Sequence, residues 1–486
     1  MGMRTLTRPS LATLAALLVG LFYFATIREG HEWGDDFSMY IHHARNIAQG
    51  TPYAATGYIY NLHNPSYAPR VYPPGFPVLL APVVRLFGLD LRLMKVVVLV
   101  CFVGSLLVGA HLFRDTLPRP YLEALVLTLG LNPFLWELKD HILSDLPFLF
   151  FMLLSLRWFT QRDGRAGVLA GVAAYAAYAT RVLGVMLVPC FLAHDLLRHR
   201  SITRRTAVAC GVFVILAGVQ YVFWIRDRSY LEAFTPTPAI VLENVVAYLR
   251  SLSDLWDNGH SDSVRKIAFL AIGGAAAWGY VGALRAGRGV LEVFPWAYLA
   301  PVLLWPAYQG TRFLIPLVPF YLYYCLLGVQ RIDAVVEGRW GGRRVVFVAF
   351  LALVGLTYVG RYATERYDRI TPGVTDPESL ELFEFVRTAT GPQEVFVFSK
   401  PRALALFTGR SAAPPFRPGD PCALWRYIAE IHASYVITGP DALNPDIVAF
   451  GRFVSQYRGG FRRVMATGGL AVYRVIPDGG PRACGA

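Results

Sequence analysis

Charge is what this chain has least of: Asp, Glu, Lys and Arg make up 16% of its 486 residues, against roughly 25% in a typical soluble domain. With 55% of residues hydrophobic and 14% aromatic, that shortage excludes an ordinary soluble globule and describes an integral membrane protein. Cysteine is also sparse. The six cysteines show no CxxC or Cys/His metal spacing, which excludes zinc ribbons and dithiol redox motifs. Cys101, Cys190, Cys210 and Cys325 fall in apolar runs as small core residues, and only Cys422 and Cys484 lie in a polar tail. No small-x-small cleavage site follows the first apolar stretch, Leu11 to Ile27 behind Arg4 and Arg8, so a retained anchor is expected rather than a cleaved signal peptide. No internal repeat of the kind common in transporters is visible. The formal charge of +13 sits in short loops between apolar runs, the distribution of the positive-inside rule, so it reads as topology and not as a nucleic-acid surface.

What is present is a succession of membrane-length runs. After Leu11–Ile27 come Leu93–Phe113, Pro120–Trp136, Ile142–Phe159, two short arms flanking Thr180-Arg181, Ala207–Trp224, Val264–Leu284, Val290–Tyr308, the run beginning at Arg312, and Val345–Val359. Counting gives about eleven spans with the N-terminus cytoplasmic and every inner loop basic. The expected division is a membrane domain over residues 1–360, with a long first outer loop at 28–90, and a soluble extracytoplasmic α/β domain over 361–486. In that tail DPESLELFEFVRTAT and ALWRYIAEIHA read as helices, EVFVFS and SYVITG as strands, and FRRVMATG with LAVYRVI as a hairpin. An odd number of spans places the tail outside, where Cys422 and Cys484 are candidates for a disulfide.

The chain is organised around GDDFSMYIHHARNIAQG, Gly34 to Gly50. Phe37, Tyr40, Ile41, Ala44, Ile47 and Ala48 recur at three- and four-residue steps, leaving Ser38, His42, Arg45 and Gln49 on a polar face, as expected of a helix lying along a membrane surface. Asp35 and Asp36 open it. Locally they read as an N-cap and a first-turn acid, and His42-His43 as ordinary surface histidines. On the same outer side fall Asp145, just past the turn Glu137–His141, and the cations Arg181 and Arg312. Arg181 is expected at the far end of a short hairpin, and an ionisable residue at membrane depth marks a functional site. Two carboxylates and two guanidiniums on one face suit transfer of a sugar to a hydroxyl or amine as a lipid-linked phosphate departs: a carboxylate removes or attracts the acceptor proton, and Arg holds the phosphate. Tyr72, beside the Pro73-Pro74 turn, reads first as part of a structural turn and second as a wall of the donor pocket. Arg70, Lys139 and Asp140 are supporting candidates. Asp35 and Asp145 could share a divalent cation as hard oxygen ligands, and the same groups can equally work without metal.

GDDFSMYIHHARNIAQG, VYPPGFPVLLAPVVRLFG, HILSDLPFLFFMLL, YATRVLG and TRFLIPLVPF, in that order, resemble the GT-C glycosyltransferases, in particular the protein O-mannosyltransferase and lipid A aminoarabinose transferase group of the family-39 type. The resemblance implies a polytopic α-helical membrane protein with a soluble tail, a polyprenyl-phosphate sugar donor and inversion at the anomeric carbon. It places the catalytic Asp on Asp35, with Asp36 where Glu is common, a second Asp on Asp145, the hairpin's basic residue, often Lys, on Arg181, and a later Arg on Arg312. The acceptor is then a lipid, protein or polysaccharide of the cell envelope, reached from the outer face of the inner membrane. The alternative is a transporter or flippase of lipid-linked sugars, which would use the arginines and need no acidic base. A third is a catalytically silent relative whose tail binds a cell-wall partner.

Overall fold

The computed structural model describes residues 10–65, 67–161, 163–224, 230, 234–287, 289–306, 308–340, 344–417, 421–440 and 445–480. Arg4, Arg8 and Cys484 lie outside the described residues. The chain forms two compact units, one of residues up to Ile27 with Lys95–Arg226 and Thr235–Tyr367, the other of Arg28–Met94, Asp227–Phe234 and the chain from Asp368.

The first unit is helical, and each expected span coincides with helix. Among the described residues six helical stretches are long and apolar enough to cross a membrane, or five once Leu91–Phe113, which straddles the two units, is set aside: Val182–His199, Arg204–Phe223, Asp262–Ala286, Thr311–Gly338 and Val345–Thr364. Shorter apolar helices at Leu11–Ala25, Tyr121–Gly130, Ala166–Thr180 and Val290–Leu304 fill other expected positions. The expected single span Pro120–Trp136 is broken, because Pro133 has no amide hydrogen to give. Asn132 ends the first piece and caps the next, Pro133–Leu138, accepting from the Leu135 amide at 3.3 Å. The same Asn132 donates to the Tyr358 hydroxyl at 2.9 Å, so the break is tied into the bundle. Helices Asp262–Ala286 and Val318–Trp340 pack backbone to backbone through glycine: a Cβ on Gly279 would stand 1.9 Å from the Tyr324 carbonyl oxygen, and one on Gly328 2.0 Å from that of Ala275. Small residues at such a seam let membrane helices gain close dispersion contact.

The second unit joins the long first loop to the C-terminal tail. Its sheet has the order β2-β1-β3-β5-β4, with β1 (Val395–Val397), β2 (Ser411–Ala413), β3 (Ala433–Thr438), β4 (Phe461–Thr467) and β5 (Leu470–Val475). β1 runs parallel to β2 and β3, and the β4–β5 hairpin joins antiparallel to β3. Val397, Ala413, Leu424, Tyr427, Val436, Phe450 and Phe461 form its core. Both helices and all four strand segments expected from the sequence are present, while β2 and the helices Pro401–Thr408 and Pro445–Gln456 were not foreseen. The first loop continues this sheet past its β2 edge, where the Ala412 amide donates to the Gly57 carbonyl and the Ile59 amide to the Ala412 carbonyl, both at 2.9 Å. An exposed strand edge is thereby covered. The sequence boundary at Gly360 separates two stretches that the structure groups together, because loop 28–94 takes its backbone partners from the tail.

The helix Asp36–Gln49 departs from the surface element expected of it. Ser38, His42 and His43 are buried along with Phe37, Met39, Tyr40 and Ile41, since its polar face is covered as well as its apolar one. Cys422 is disulfide-bonded.

Candidate active site

In the first unit three expected residues meet. Asp145 opens the helix Asp145–Phe159 and is 2% exposed. One of its oxygens accepts from Arg181 Nη1, and the other from Arg312 Nε at 3.2 Å and Nη2 at 2.9 Å. A carboxylate cannot be buried without such partners, and here it is held by two guanidiniums. Arg181 lies in extended backbone where Ala166–Thr180 ends and a 3-10 turn, Val182–Met186, begins. That turn needs Gly184, whose added Cβ would stand 2.3 Å from the Tyr178 amide nitrogen. Arg181 rests over the Phe313 ring at 4.7 Å, so the next residue after Arg312 also steadies it. Arg312 sits in the 3-10 turn Thr311–Leu317, entered through Gly310 at φ 77°. Two guanidiniums thus converge on one buried carboxylate.

Beside it opens a cavity of about 560 Å³, lined by Tyr248, Leu252, Leu299, Leu314, Phe320 and Tyr324 among others. Its walls are almost wholly apolar. Leu314 is two residues beyond Arg312, and the Tyr248 hydroxyl accepts from the Gln309 amide at 3.4 Å.

Lys139 and Asp140 are placed differently. Both are 0% exposed, paired at 2.6 Å, with Lys95 3.8 Å from the other Asp140 oxygen and the Lys139 ammonium 4.0 Å over the Trp136 ring. The structure gives Lys139 a buried carboxylate and an aromatic face as its partners.

In the second unit Asp35 and Asp36 form a different cluster, centred on Arg402, which sequence reasoning missed. Asp35 stands at the N-cap position of its own helix, yet its side chain makes no capping bond there. It caps another helix instead. One oxygen accepts from the Arg402 and Ala403 amides, both at 3.1 Å, at the start of Pro401–Thr408, and the other from Arg402 Nε at 2.6 Å and the Tyr67 hydroxyl at 3.4 Å. Asp36 accepts from Arg402 Nη2 at 3.0 Å and the Tyr72 hydroxyl at 2.7 Å. Arg402 is 3% exposed. Burial works against its charge, but Tyr72, Asp35 and Asp36 outweigh it and raise its pKa well above the ordinary value. Tyr72, a candidate from the sequence, also accepts from Arg402 Nη1 at 2.6 Å. Arg70 stands apart on the surface, its guanidinium 4.7 Å over the Tyr60 ring.

His43 sets Tyr72. Its Nδ1 faces the Tyr53 carbonyl oxygen at 2.8 Å and its Nε2 receives the Tyr72 amide at 3.2 Å. A carbonyl on one side and an N–H on the other fix the neutral tautomer with its proton on Nδ1. Burial accordingly lowers the His43 pKa to about 4 and that of His42 to about 3. Among the described residues no group of three or more His, Cys, Asp or Glu is placed to hold a metal ion.

The signal for Arg402 was legible in principle. KPRALALFTG has Pro401 at the first helical position and Gly409 just past the end at φ 71°, the usual asymmetry of a helix's two ends. Eight residues gave too little periodicity to be noticed.

No protein-family model and no curated protein matches the chain. Solved structures do. The Archaeoglobus fulgidus oligosaccharyltransferase, crystallised with a tethered acceptor peptide containing an NVT sequon, is similar with a TM-score of 0.59 at 13% identity, over 95% of this chain and 74% of that one. ArnT from Cupriavidus metallidurans bound to undecaprenyl phosphate is similar with a TM-score of 0.56 at 13% identity, over 97% of this chain and 99% of that one. The mycobacterial arabinofuranosyltransferase AftD matches with a TM-score of 0.55 at 14% identity, over 96% of this chain and 40% of that one. The fold is therefore the GT-C fold that the sequence motifs resemble, a polytopic helical membrane protein carrying a C-terminal α/β domain.

Proposed function

We propose, with the GT-C fold as the premise, that this chain is a membrane glycosyltransferase that moves a sugar from a polyprenyl-phosphate carrier to an acceptor on the extracytoplasmic face, with inversion. The observation that carries the reading is the Asp145–Arg181–Arg312 cluster beside a 560 Å³ apolar cavity. A prenyl phosphate needs both parts, cationic donors for the head and a dry wall for the tail. The similarity to a structure holding undecaprenyl phosphate supports the same donor class.

Arg181 and Arg312 bind the donor phosphate and stabilise the negative charge that gathers on it as the glycosidic bond breaks. Asp145 is the buried counter-ion that holds both forks in one orientation. Asp35 and Asp36 are the acceptor-side carboxylates. Four donors already meet Asp35, so the attacking hydroxyl or amine takes the place of the longest of them, the Tyr67 hydroxyl at 3.4 Å, and Asp35 draws its proton during attack. The chain lies in the inner membrane with the N-terminus cytoplasmic. A flippase would bind its cargo through the same arginines and need no acidic base, so substitution of Asp35, which leaves the Asp145–Arg181–Arg312 cluster intact, separates transfer from transport.

The test is transfer of a radiolabelled sugar from a polyprenyl phosphate to envelope acceptors by purified full-length protein. Asp35→Asn is expected to abolish transfer with donor binding unchanged. Undiminished transfer in both Asp35→Asn and Asp145→Asn would sink the reading.

A further inference from the structure

A second cavity lies in the same unit at the other end of the helix that Asp145 begins. Its volume is about 870 Å³, and Phe159 and Thr160, where that helix ends, form part of its wall. Fifteen residues of helix put it roughly 20 Å along the bundle from Asp145. None of the Asp145, Arg181 or Arg312 side chains lines it. The charged side chains in its lining are Arg198, Arg205 and Arg331 against the carboxylate of Glu292, with His199 and His194 beside them, the latter 3.2 Å from Asp195.

The Glu292 carboxylate is committed elsewhere. Glu292 accepts from the Gly289 amide at 2.7 Å and the Tyr324 hydroxyl at 3.3 Å, closing the start of Val290–Leu304. Two of the guanidiniums are held in place and only partly used. Arg205 lies 4.8 Å over the Phe159 ring and gives one Nη to the Gln161 carbonyl at 2.9 Å, while its Nε is buried with no hydrogen-bond partner among the described residues. Arg331 gives one Nη to the Gly279 carbonyl at 2.9 Å. Arginines at helix ends that serve only to set topology belong in water, where their donors are satisfied. A buried guanidinium nitrogen without an acceptor is destabilising, and an anion with several acceptor oxygens would relieve it. Phe159 and Tyr323 add an apolar wall to the cationic one.

We propose that this cavity binds a phosphate group, through Arg198, Arg205 and Arg331. The phosphate belongs either to a phospholipid headgroup or to free phosphate, and the site is separate from the donor site. It does not depend on the transferase reading.

The experiment measures binding to purified full-length protein by native mass spectrometry and by thermal shift, in nanodiscs of phosphatidylcholine with or without phosphatidylglycerol and with inorganic phosphate as a separate probe. Phosphatidylglycerol is expected to remain bound and raise the melting temperature. Arg198→Gln/Arg331→Gln should weaken that binding roughly tenfold, as loss of charge-assisted contacts implies, whereas Arg312→Leu should not. Arg205→Gln tests the orphaned nitrogen, and Arg198→Gln alone, at the exposed rim, guards against misfolding. A shift with inorganic phosphate alone assigns the free ion as ligand. Equal binding of both probes by wild type and the double variant, or losses that follow Arg312→Leu instead, overturns the proposal.

Discussion

At the residue scale the two clusters differ in what they spend their charges on. Asp145 divides its oxygens between two partly exposed arginines, whereas Arg402 is enclosed by two carboxylates and a phenol. Replacing Arg312 by Leu should remove one charge-assisted phosphate contact and raise the KM for a polyprenyl-phosphate donor by roughly ten- to a hundredfold, with protein yield unchanged. Replacing Arg402 by Leu should instead act on stability, because it leaves Asp35 and Asp36 facing each other without compensation, at a cost of about 3–5 kcal/mol. A fall in melting temperature together with rapid proteolysis of loop 28–94 checks this, and Arg402→Lys should recover only part of it, since an ammonium cannot reproduce the fork. Asp35, Asp145, Arg181 and Arg312 could be picked out in sequence because charge is rare among apolar runs and therefore conspicuous. Arg402 could not. In a tail with ordinary polarity one arginine looks like any other, and only the fold brings it to a carboxylate hundreds of residues away.

At the scale of the element, the periodicity of Asp36–Gln49 was readable and its surroundings were not. Three- and four-residue spacing identifies the helix, but burial of Ser38, His42 and His43 depends on what covers the second face. That burial predicts a pH dependence. His43 is neutral when folded, with a pKa of about 4 against 6.5 in the unfolded chain, so below pH 6.5 the unfolded state binds more protons. Stability should be complete above pH 6.5, fall as the pH drops towards 4, and lose about 3 kcal/mol across that window. Thermal melts between pH 7 and 4 check the sign, and His43→Gln should flatten the curve. Gly184 makes a second element-scale prediction. Gly184→Ala would drive a Cβ into backbone that cannot yield, displacing the turn that carries Arg181, so donor binding should weaken without loss of any charged group.

At the scale of the whole molecule, hydropathy and loop charge were enough to locate the helices of the membrane unit, because lipid imposes one rule on every span. Grouping the first loop with the tail was not legible, since backbone pairing such as Gly57 with Ala412 depends on shape and not on residue type. Deletion of everything after Gly360 is often the obvious way to ask whether a tail is catalytic or merely adhesive. Here it should abolish transfer under either answer, since Arg402, Ala412 and Pro414 hold the first loop through Asp35, Ile59 and Asn61. Protease sensitivity newly confined to residues 28–94 in the truncated protein checks this.

The bond between Asp35 and the Arg402 amide joins residues 367 apart. At the ribosome's usual pace of about 5–20 residues per second, the acidic pair waits roughly 20 to 70 s for its counter-ion to be synthesised. Throughout that interval the two carboxylates lack the guanidinium that faces them in the finished fold. Nascent chains stalled short of Lys400 should therefore be the species that quality-control proteases and chaperones capture by their first loop.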